Sequence, residues 1–306
     1  MKKILCVNYS QSGQLDEILD RFTEPLKAFQ LERVKIKPQP AYPFPWSAGN
    51  FYDGMPETVQ ETPMELQPFS FKETHYDLII LGYQPWFLSP SLPTSSLLKH
   101  PDFMERLKDT PVMTIIGARN MSLNAHDSVV NLVEAAGGHM VGNYALVDRA
   151  PNQLSAISIV HWMMTGKKTR KWGIFPLPGV SQEDIDGATT FGQLLVPYLE
   201  KGNYTGLQDQ IIREGGLRIQ TSILFIEGKA KKIFRIWAKL ILKKEAQGKS
   251  RRFWIAFFRF YLNFALFIVA PILLLLYTLL MRPFLGTKIR AKKQRYSFLG
   301  IHRIQR

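Results

Sequence analysis

Ser10-Gln11-Ser12-Gly13-Gln14-Leu15 is the stretch of this chain with the clearest capacity for chemistry. It follows an apolar run, residues 4–9, that reads as a short buried strand, and an amphipathic helix begins at once behind it. A strand that turns directly into a helix aims backbone N–H groups and the positive end of the helix at one spot, which suits a phosphate. Ser10 and Ser12 add hydroxyl donors, and Gly13 lets the backbone close around an anion. The stretch lacks both the spaced glycines of G-x-G-x-x-G and the lysine of a P-loop, so it is neither common nucleotide loop. An ordinary helix cap made by Ser12 would use the same residues.

Two further stretches would meet the other end of such a ligand. Residues 75–82, near-continuous in apolar side chains, open into Tyr83-Gln84-Pro85-Trp86-Phe87, an amide followed by aromatics. Residues 112–117 open into Ala118-Arg119-Asn120-Met121, a guanidinium and an amide. Runs this apolar read as parallel strands buried on both faces, and ligands of such sheets bind outside the strands' carboxyl ends. Three loops bearing hydroxyls, aromatics and an amide–guanidinium pair suit a ligand with a phosphate at one end and a flat polar ring at the other. The single cysteine, Cys6, sits mid-strand, which excludes an internal disulfide and a thiolate metal cluster. None of the six histidines recurs at ligand or triad spacing.

The elements that would hold these loops follow from periodicity. Leu15, Ile18, Leu19, Phe22, Leu26 and Phe29 form one apolar stripe of a helix ending near Phe29. Val34 and Ile36 alternate with charges and predict a short second strand. Later strands are expected at 75–82, 112–117 and 140–147, with helical coverage between them and a last helix at 182–200. Alternation of this kind implies an α/β fold, a doubly wound parallel sheet with helices on both faces. Residues 38–71 hold seven prolines and seven aromatics, among them Tyr42, Trp46 and Phe51. They read as a packed insertion, either roofing a pocket or covering a sheet edge. A second insertion, 148–180, puts Leu154, Ile157, Val160, His161 and Met164 on one helical face. The run Lys167-Lys168-Thr169-Arg170-Lys171-Trp172 follows, either a solvated face or a contact to a membrane surface or acidic carrier.

The net charge of +14 is concentrated at one end. Residues 229–306 hold 19 lysines and arginines against the single acid Glu245, while the first 228 residues are slightly acidic. The high pI therefore describes a tail, and no nucleic-acid partner is expected for the body. Residues 229–259 carry an interfacial pattern: Ile233, Ile236, Trp237, Leu240 and Ile241 against Lys231, Lys232, Arg235, Lys239 and Lys243. Residues 260–281 contain no charge over 22 positions, enough for about 33 Å of helix and a bilayer crossing. Basic residues flank this run on both sides and Pro271 interrupts it, so a single span and a re-entrant hairpin both fit. The chain thus divides into a body, 1–228, a basic amphipathic segment, 229–259, a transmembrane or re-entrant segment, 260–281, and a basic cytoplasmic tail, 282–306. Lys2-Lys3 followed by only six residues before Ser10 is too short for a signal peptide, so a body facing the cytoplasm is expected.

The body resembles the flavodoxin-like FMN-binding family over roughly residues 2–200. Tyr9-Ser10-Gln11-Ser12-Gly13-Gln14 looks like its phosphate loop, and residues 76–82 followed by Gln84-Pro85-Trp86-Phe87 look like the strand and aromatic loop flanking the isoalloxazine. Gly117-Ala118-Arg119-Asn120 stands where that family contacts the ring's pyrimidine edge. Leu15 departs from the family, whose members often have Thr there. A narrower resemblance, carried by residues 82–91, 117–121 and 147–152 and by the hydrophobic tail, is to bacterial proteins labelled dialkylresorcinol condensing enzyme. These resemblances imply FMN as cofactor and an FMN-dependent oxidoreductase at the bacterial inner membrane. Its substrate would be lipid-like or carrier-bound, in dialkylresorcinol, aryl-polyene or flexirubin-type synthesis. An anionic membrane surface is the expected partner. Carbon–carbon condensation on thioesters needs an activated cysteine, so a ketosynthase partner would perform any condensing step. A membrane-tethered electron carrier and a flavin-free scaffold are the alternatives.

Overall fold

In the computed structural model, which describes residues 1–301, five strands form one parallel sheet. They are β1 (Lys3–Asn8), β2 (Gln30–Lys35), β3 (Leu78–Tyr83), β4 (Pro111–Ala118) and β5 (His139–Val147). Their spatial order is β2-β1-β3-β4-β5, with Lys3 paired to Gln30, Ile4 to Leu78, Ile79 to Val112 and Pro111 to His139. This is the order of a flavodoxin-like sheet, and the winding direction reverses between β1 and β3.

Side chains alternate across the sheet, so each strand feeds two cores. Ile4, Cys6 and Ile80 pack under α1 (Gln14–Thr23), α9 (Ala188–Lys201) and α10 (Leu207–Arg213). On the opposite face, Leu5, Val7, Ile79 and Leu81 pack under α4 (Leu92–Leu98), α5 (Pro101–Leu107) and α6 (Leu123–Ala135). Two glycines permit the close approach of α1. A Cβ at Gly82 would stand 2.5 Å from Leu19 Cδ1, and one at Gly192 would stand 2.0 Å from the Phe22 carbonyl oxygen. The α1 stripe breaks into a 3₁₀ turn at Glu24–Ala28 because Pro25 cannot continue the hydrogen-bond ladder.

The 38–71 insertion is more ordered than a loop, forming two short helices, α2 (Ala48–Asp53) and α3 (Met55–Gln60). It meets the second insertion where Trp46 N–H donates to the Met163 carbonyl at 2.8 Å, at the end of α7 (Asn152–Thr165). The orientation of α7 differs from the apolar-stripe expectation. Ser155, Ala156, Ser158 and Trp162 face inward, while Leu154 and Val160 are exposed. Polar tethers decide this: Asp148 accepts from Ser155 Oγ at 2.7 Å, and Asn152 is held by the loop after β4.

A short helix, α8 (Gln182–Asp186), precedes α9. After α10 come α11 (Thr221–Ala246), α12 (Arg251–Leu280) and α13 (Gly286–Ser297). The boundary expected at 228/229 from charge falls inside α11, which runs through it unbroken. The apolar run belongs to the longer α12, the one described helix long and apolar enough to cross a membrane. Pro271 is accommodated by a π-helical turn just before it, Ala265–Val269. Of the expected basic tail, residues 302–306 lie outside the described residues.

Candidate functional site

Because the chain steps from β1 out to β2 and back across to β3, the winding reverses at the carboxyl ends of β1 and β3, the place where open α/β sheets take their ligands. Three loops border it: residues 9–13 after β1, 84–91 after β3 and 119–122 after β4.

In the first loop Tyr9 is buried, and its hydroxyl donates to Gln11 Oε1. Gln11 Nε2 donates to the Pro43 carbonyl at 3.2 Å, joining the loop to the first insertion. Ser10 Oγ is buried with no hydrogen-bond partner among the described residues. Ser12 does not cap α1. The cap position is Gly13, at φ +86°, a left-handed conformation that glycine reaches without a Cβ clash, and no side-chain cap hydrogen bond is made there among the described residues. The first-turn N–H groups, which have no intrahelical partner, thus carry no side-chain cap. The acids of that turn are engaged elsewhere, Asp16 by Asn8 Nδ2 at 2.8 Å and Glu17 by Gln182 Nε2 at 2.8 Å. Gln14 points to the second insertion, accepting from Val180 N–H at 3.0 Å and donating to the Val180 carbonyl at 3.1 Å. Leu15 is core, so this position brings no hydroxyl to the loop.

The second loop is a tight hairpin in which Pro85–Trp86 pairs with Ser89–Pro90. Phe87 and Leu88 make its turn at φ +47° and +64°, the mirror-image geometry that the strand twist favours but bulky residues rarely adopt. Both pay this strain while packed: Leu88 is buried, and Phe87 meets Phe51 and Phe234 at 5.0 and 6.4 Å. Gln84 Nε2 is buried and unpartnered among the described residues. Trp86 is 9% exposed. Tyr9, Tyr42 and Trp46 surround it at 5.8, 5.2 and 5.4 Å, each nearly perpendicular to its ring.

The third loop carries charge and an amide. Gly117 and Ala118 end β4, and Arg119 Nη1 then donates to Asn152 Oδ1 and to the Asn152 carbonyl at 2.8 and 2.9 Å. Burial lowers the Arg119 pKa to about 10, with Asp148 opposing, so the guanidinium stays charged at neutral pH. Asn120 Nδ2 donates to the same Asn152 Oδ1 at 2.7 Å, while Asn120 Oδ1 is buried and unpartnered among the described residues. Asn152 thereby holds two of the expected site residues in place, a role the sequence did not single out.

Behind the second and third loops lies a buried polar cluster that sequence reasoning missed. Tyr83 Oη meets His126 Nδ1 at 3.2 Å. Glu227, from α11, accepts from Asn124 N–H at 2.7 Å and so occupies the N-terminus of α6. Burial pushes His126 down to about 4 and Glu227 up to about 7. Lys231 donates to the Asn124 carbonyl and to Ser128 Oγ at 3.1 and 3.2 Å. In the sequence Glu227 was only the last acid before a basic tail. No group of three or more histidine, cysteine or acidic side chains is placed to hold a metal ion among the described residues.

No family model matches the sequence, and no curated protein matches it. Solved structures similar to this chain include a flavoprotein in complex with FMN from Lactobacillus acidophilus NCFM. It is 21% identical with a TM-score of 0.40, over 47% of this chain and 93% of its own. A flavodoxin from the domain Archaea is 11% identical with a TM-score of 0.34, over 65% of this chain and 98% of its own. Oxidised flavodoxin 1 from Bacillus cereus is 16% identical with a TM-score of 0.32, over 64% and 98%.

Proposed function

We propose that the loop cluster at the carboxyl ends of β1, β3 and β4 binds FMN and that the protein is a membrane-attached, FMN-dependent oxidoreductase. One observation carries the cofactor reading. Ser10 Oγ, Gln84 Nε2 and Asn120 Oδ1 are buried polar atoms without hydrogen-bond partners among the described residues, one on each of the three loops. An unsatisfied buried polar atom costs about 1–3 kcal/mol, so three in one loop cluster suit a polar ligand that completes them. Their chemistry fits FMN. Ser10 and the uncapped N-terminus of α1 offer donors to a phosphate. The Gln84 and Asn120 amides offer one donor and one acceptor to the polar edge of a flat ring. Trp86 and Phe87 supply aromatic surface beside it, with Arg119 held nearby by Asn152. When bound, FMN supplies hydride or electron transfer. The chain binds and orients it, and the two insertions exclude water.

The same features support an enzyme over an open-edged electron carrier, because Trp86 is covered by Tyr42 and Trp46 of the first insertion. Attachment through α12 supports a substrate that is lipid-like or carrier-bound, met at a membrane. The finer reading rests on the sequence resemblance: oxidation of a cyclic dialkyl intermediate to a resorcinol, with a ketosynthase partner for carbon–carbon bond formation, at the inner membrane with the body in the cytoplasm. Titration of the purified chain with FMN tests the core of the proposal. Oxidised-flavin absorbance should appear with a micromolar or tighter Kd, about −8 kcal/mol. Absence of binding by both FMN and FAD overturns it. Trp86→Phe, which keeps a buried ring, should lower FMN affinity several-fold and shift the flavin spectrum. Unchanged affinity and spectrum would place the isoalloxazine elsewhere.

A further inference from the structure

We propose that α12 does not cross the bilayer but lies in the plane of one leaflet, with both of its ends on the same side as the body. Membrane attachment itself belongs to the preceding proposal, and the present inference rests on it.

The geometry comes from the partner of α12. It packs antiparallel along α11: Phe225 stacks on Tyr277 at 4.0 Å, Phe234 meets Phe258 at 5.6 Å, and Trp237 meets Tyr261 at 5.1 Å. The two helices are 26 and 30 residues long, about 39 and 45 Å, so α11 accompanies α12 through most of its length. α11 is fixed to the body. Glu227 and Lys231 bond to the N-terminal turns of α6, and Ile223 and Leu224 are buried. Both ends of α12 return to the body as well. Arg251 pairs with Asp53 at 2.7 Å and Glu57 at 2.8 Å in the first insertion. Beyond α12, Gln208 Nε2 donates to the Ser297 carbonyl at 3.0 Å, and Arg295 approaches Asp127 at 4.0 Å.

A perpendicular α12 would therefore draw α11 into the hydrocarbon with it. α11 carries seven lysines and arginines, and intramembrane charges of that kind are costly. A parallel arrangement has no such conflict. The inner face of α12, with Ile255, Phe258 and Tyr277 buried, meets the protein. The outer face, with Phe257, Phe260, Phe264, Ile268 and Ile272 exposed, carries an apolar stripe along the helix that widens toward its end, where Leu273, Leu276 and Leu280 are exposed as well. That stripe would enter the boundary between headgroups and acyl chains, as interfacial helices do. The surrounding charge selects the occupant: 19 lysines and arginines against one acid in residues 229–306 suit an anionic phospholipid leaflet.

Depth measurement tests the arrangement. Cys6 is fully buried in β1 and its thiol is pushed up to about 11, so single cysteines can be added to the full-length chain without a competing label site. Nitroxide labels at residues 257, 264, 268, 272 and 279 would be read on phosphatidylcholine–phosphatidylglycerol vesicles. The expected result is one shallow depth at all five positions, and vesicle affinity at least about tenfold weaker on phosphatidylcholine alone. Lys249→Cys and Lys288→Cys should both react with an impermeant maleimide added outside the vesicles. A depth profile peaking near residue 268, with Lys249→Cys and Lys288→Cys reacting from opposite sides, overturns the in-plane arrangement and leaves attachment standing. No vesicle binding overturns attachment and this inference together. Spin–spin broadening without immersion would assign the stripe to a second copy of the chain and overturn it too.

Discussion

Ser10 concentrates the test of the site in one oxygen atom. Its hydroxyl is buried and unpartnered among the described residues, so Ser10→Ala removes an unsatisfied group from the ligand-free protein. Apoprotein stability should stay level or rise, by up to about 1–3 kcal/mol. FMN affinity should fall about tenfold while riboflavin affinity, which involves no phosphate, stays unchanged. Calorimetric melting and paired flavin titrations read the two effects. Equal losses for FMN and riboflavin would detach Ser10 from the phosphate. Glu227 offers a second test, through pH. Burial raises it from 4.5 to about 7, so the native state binds a proton that the unfolded chain has lost. Its contribution to stability is greatest below pH 4.5 and declines as the pH rises through 7, by about 3 kcal/mol in all. His126 acts with the opposite sign. Held neutral by burial at about 4 instead of 6.5, it costs stability as the pH falls through that interval. The two offset each other between about pH 4.5 and 6.5. Glu227→Gln, which mimics the protonated acid, should match the parent near pH 5 and melt higher than it at pH 8. Lys231 and Lys292 are the cations whose charge opposes the effect of burial on Glu227, and a variant less stable than the parent at pH 8 would mean that they hold the carboxylate ionised.

Among the elements, the first insertion is the one whose position depends on distant sequence. α2 and α3 cover the aromatic loop, and Arg251 ties them to the start of α12 and to Glu245. Arg251 keeps only 20% of its side chain exposed, while its acidic partners are more open to solvent. Solvent screening therefore limits the value of the cluster to about 1–2 kcal/mol. Arg251→Ala should loosen the cover without unfolding the sheet. Amide exchange should quicken across residues 48–60 and stay slow in β1, β3 and β4. Uniform acceleration across the sheet would mean that the cluster holds the whole fold.

At the scale of the whole molecule, an α/β body and a basic, apolar tail share one helix, α11, so the two are coupled in both directions. The full chain should sediment with membranes, stay there in high salt and leave only with detergent, because apolar insertion persists when charge attraction is screened. Release by salt alone would make the attachment purely electrostatic. A chain cut at residue 228 should lose stability as well as its membrane contact, because the cut interrupts the helix that places Glu227 on α6.

The sequence by itself determined the parts that depend on local pattern. Apolar runs predicted strands at 4–9, 75–82, 112–117 and 140–147, where β1, β3, β4 and β5 stand within a few residues, and placed loops at the carboxyl ends of the first three, beginning at Ser10, Tyr83 and Ala118. An uncharged stretch over 22 positions identified the apolar segment. Tertiary structure decided everything that depends on what packs where. Periodicity could not tell that α7 turns its small residues inward, because Asp148 and Asn152 outweigh a partial apolar stripe. Nor could it tell that Gly13, instead of Ser12, stands at the cap of α1, or that Trp86 lies among rings contributed by a segment 40 residues earlier. The uncharged run 260–281 by itself fitted a single span and a re-entrant hairpin alike. The in-plane proposal rests instead on the lengthwise pairing of α12 with the charged α11, because the cost of burying a charge depends on where its neighbours lie in space.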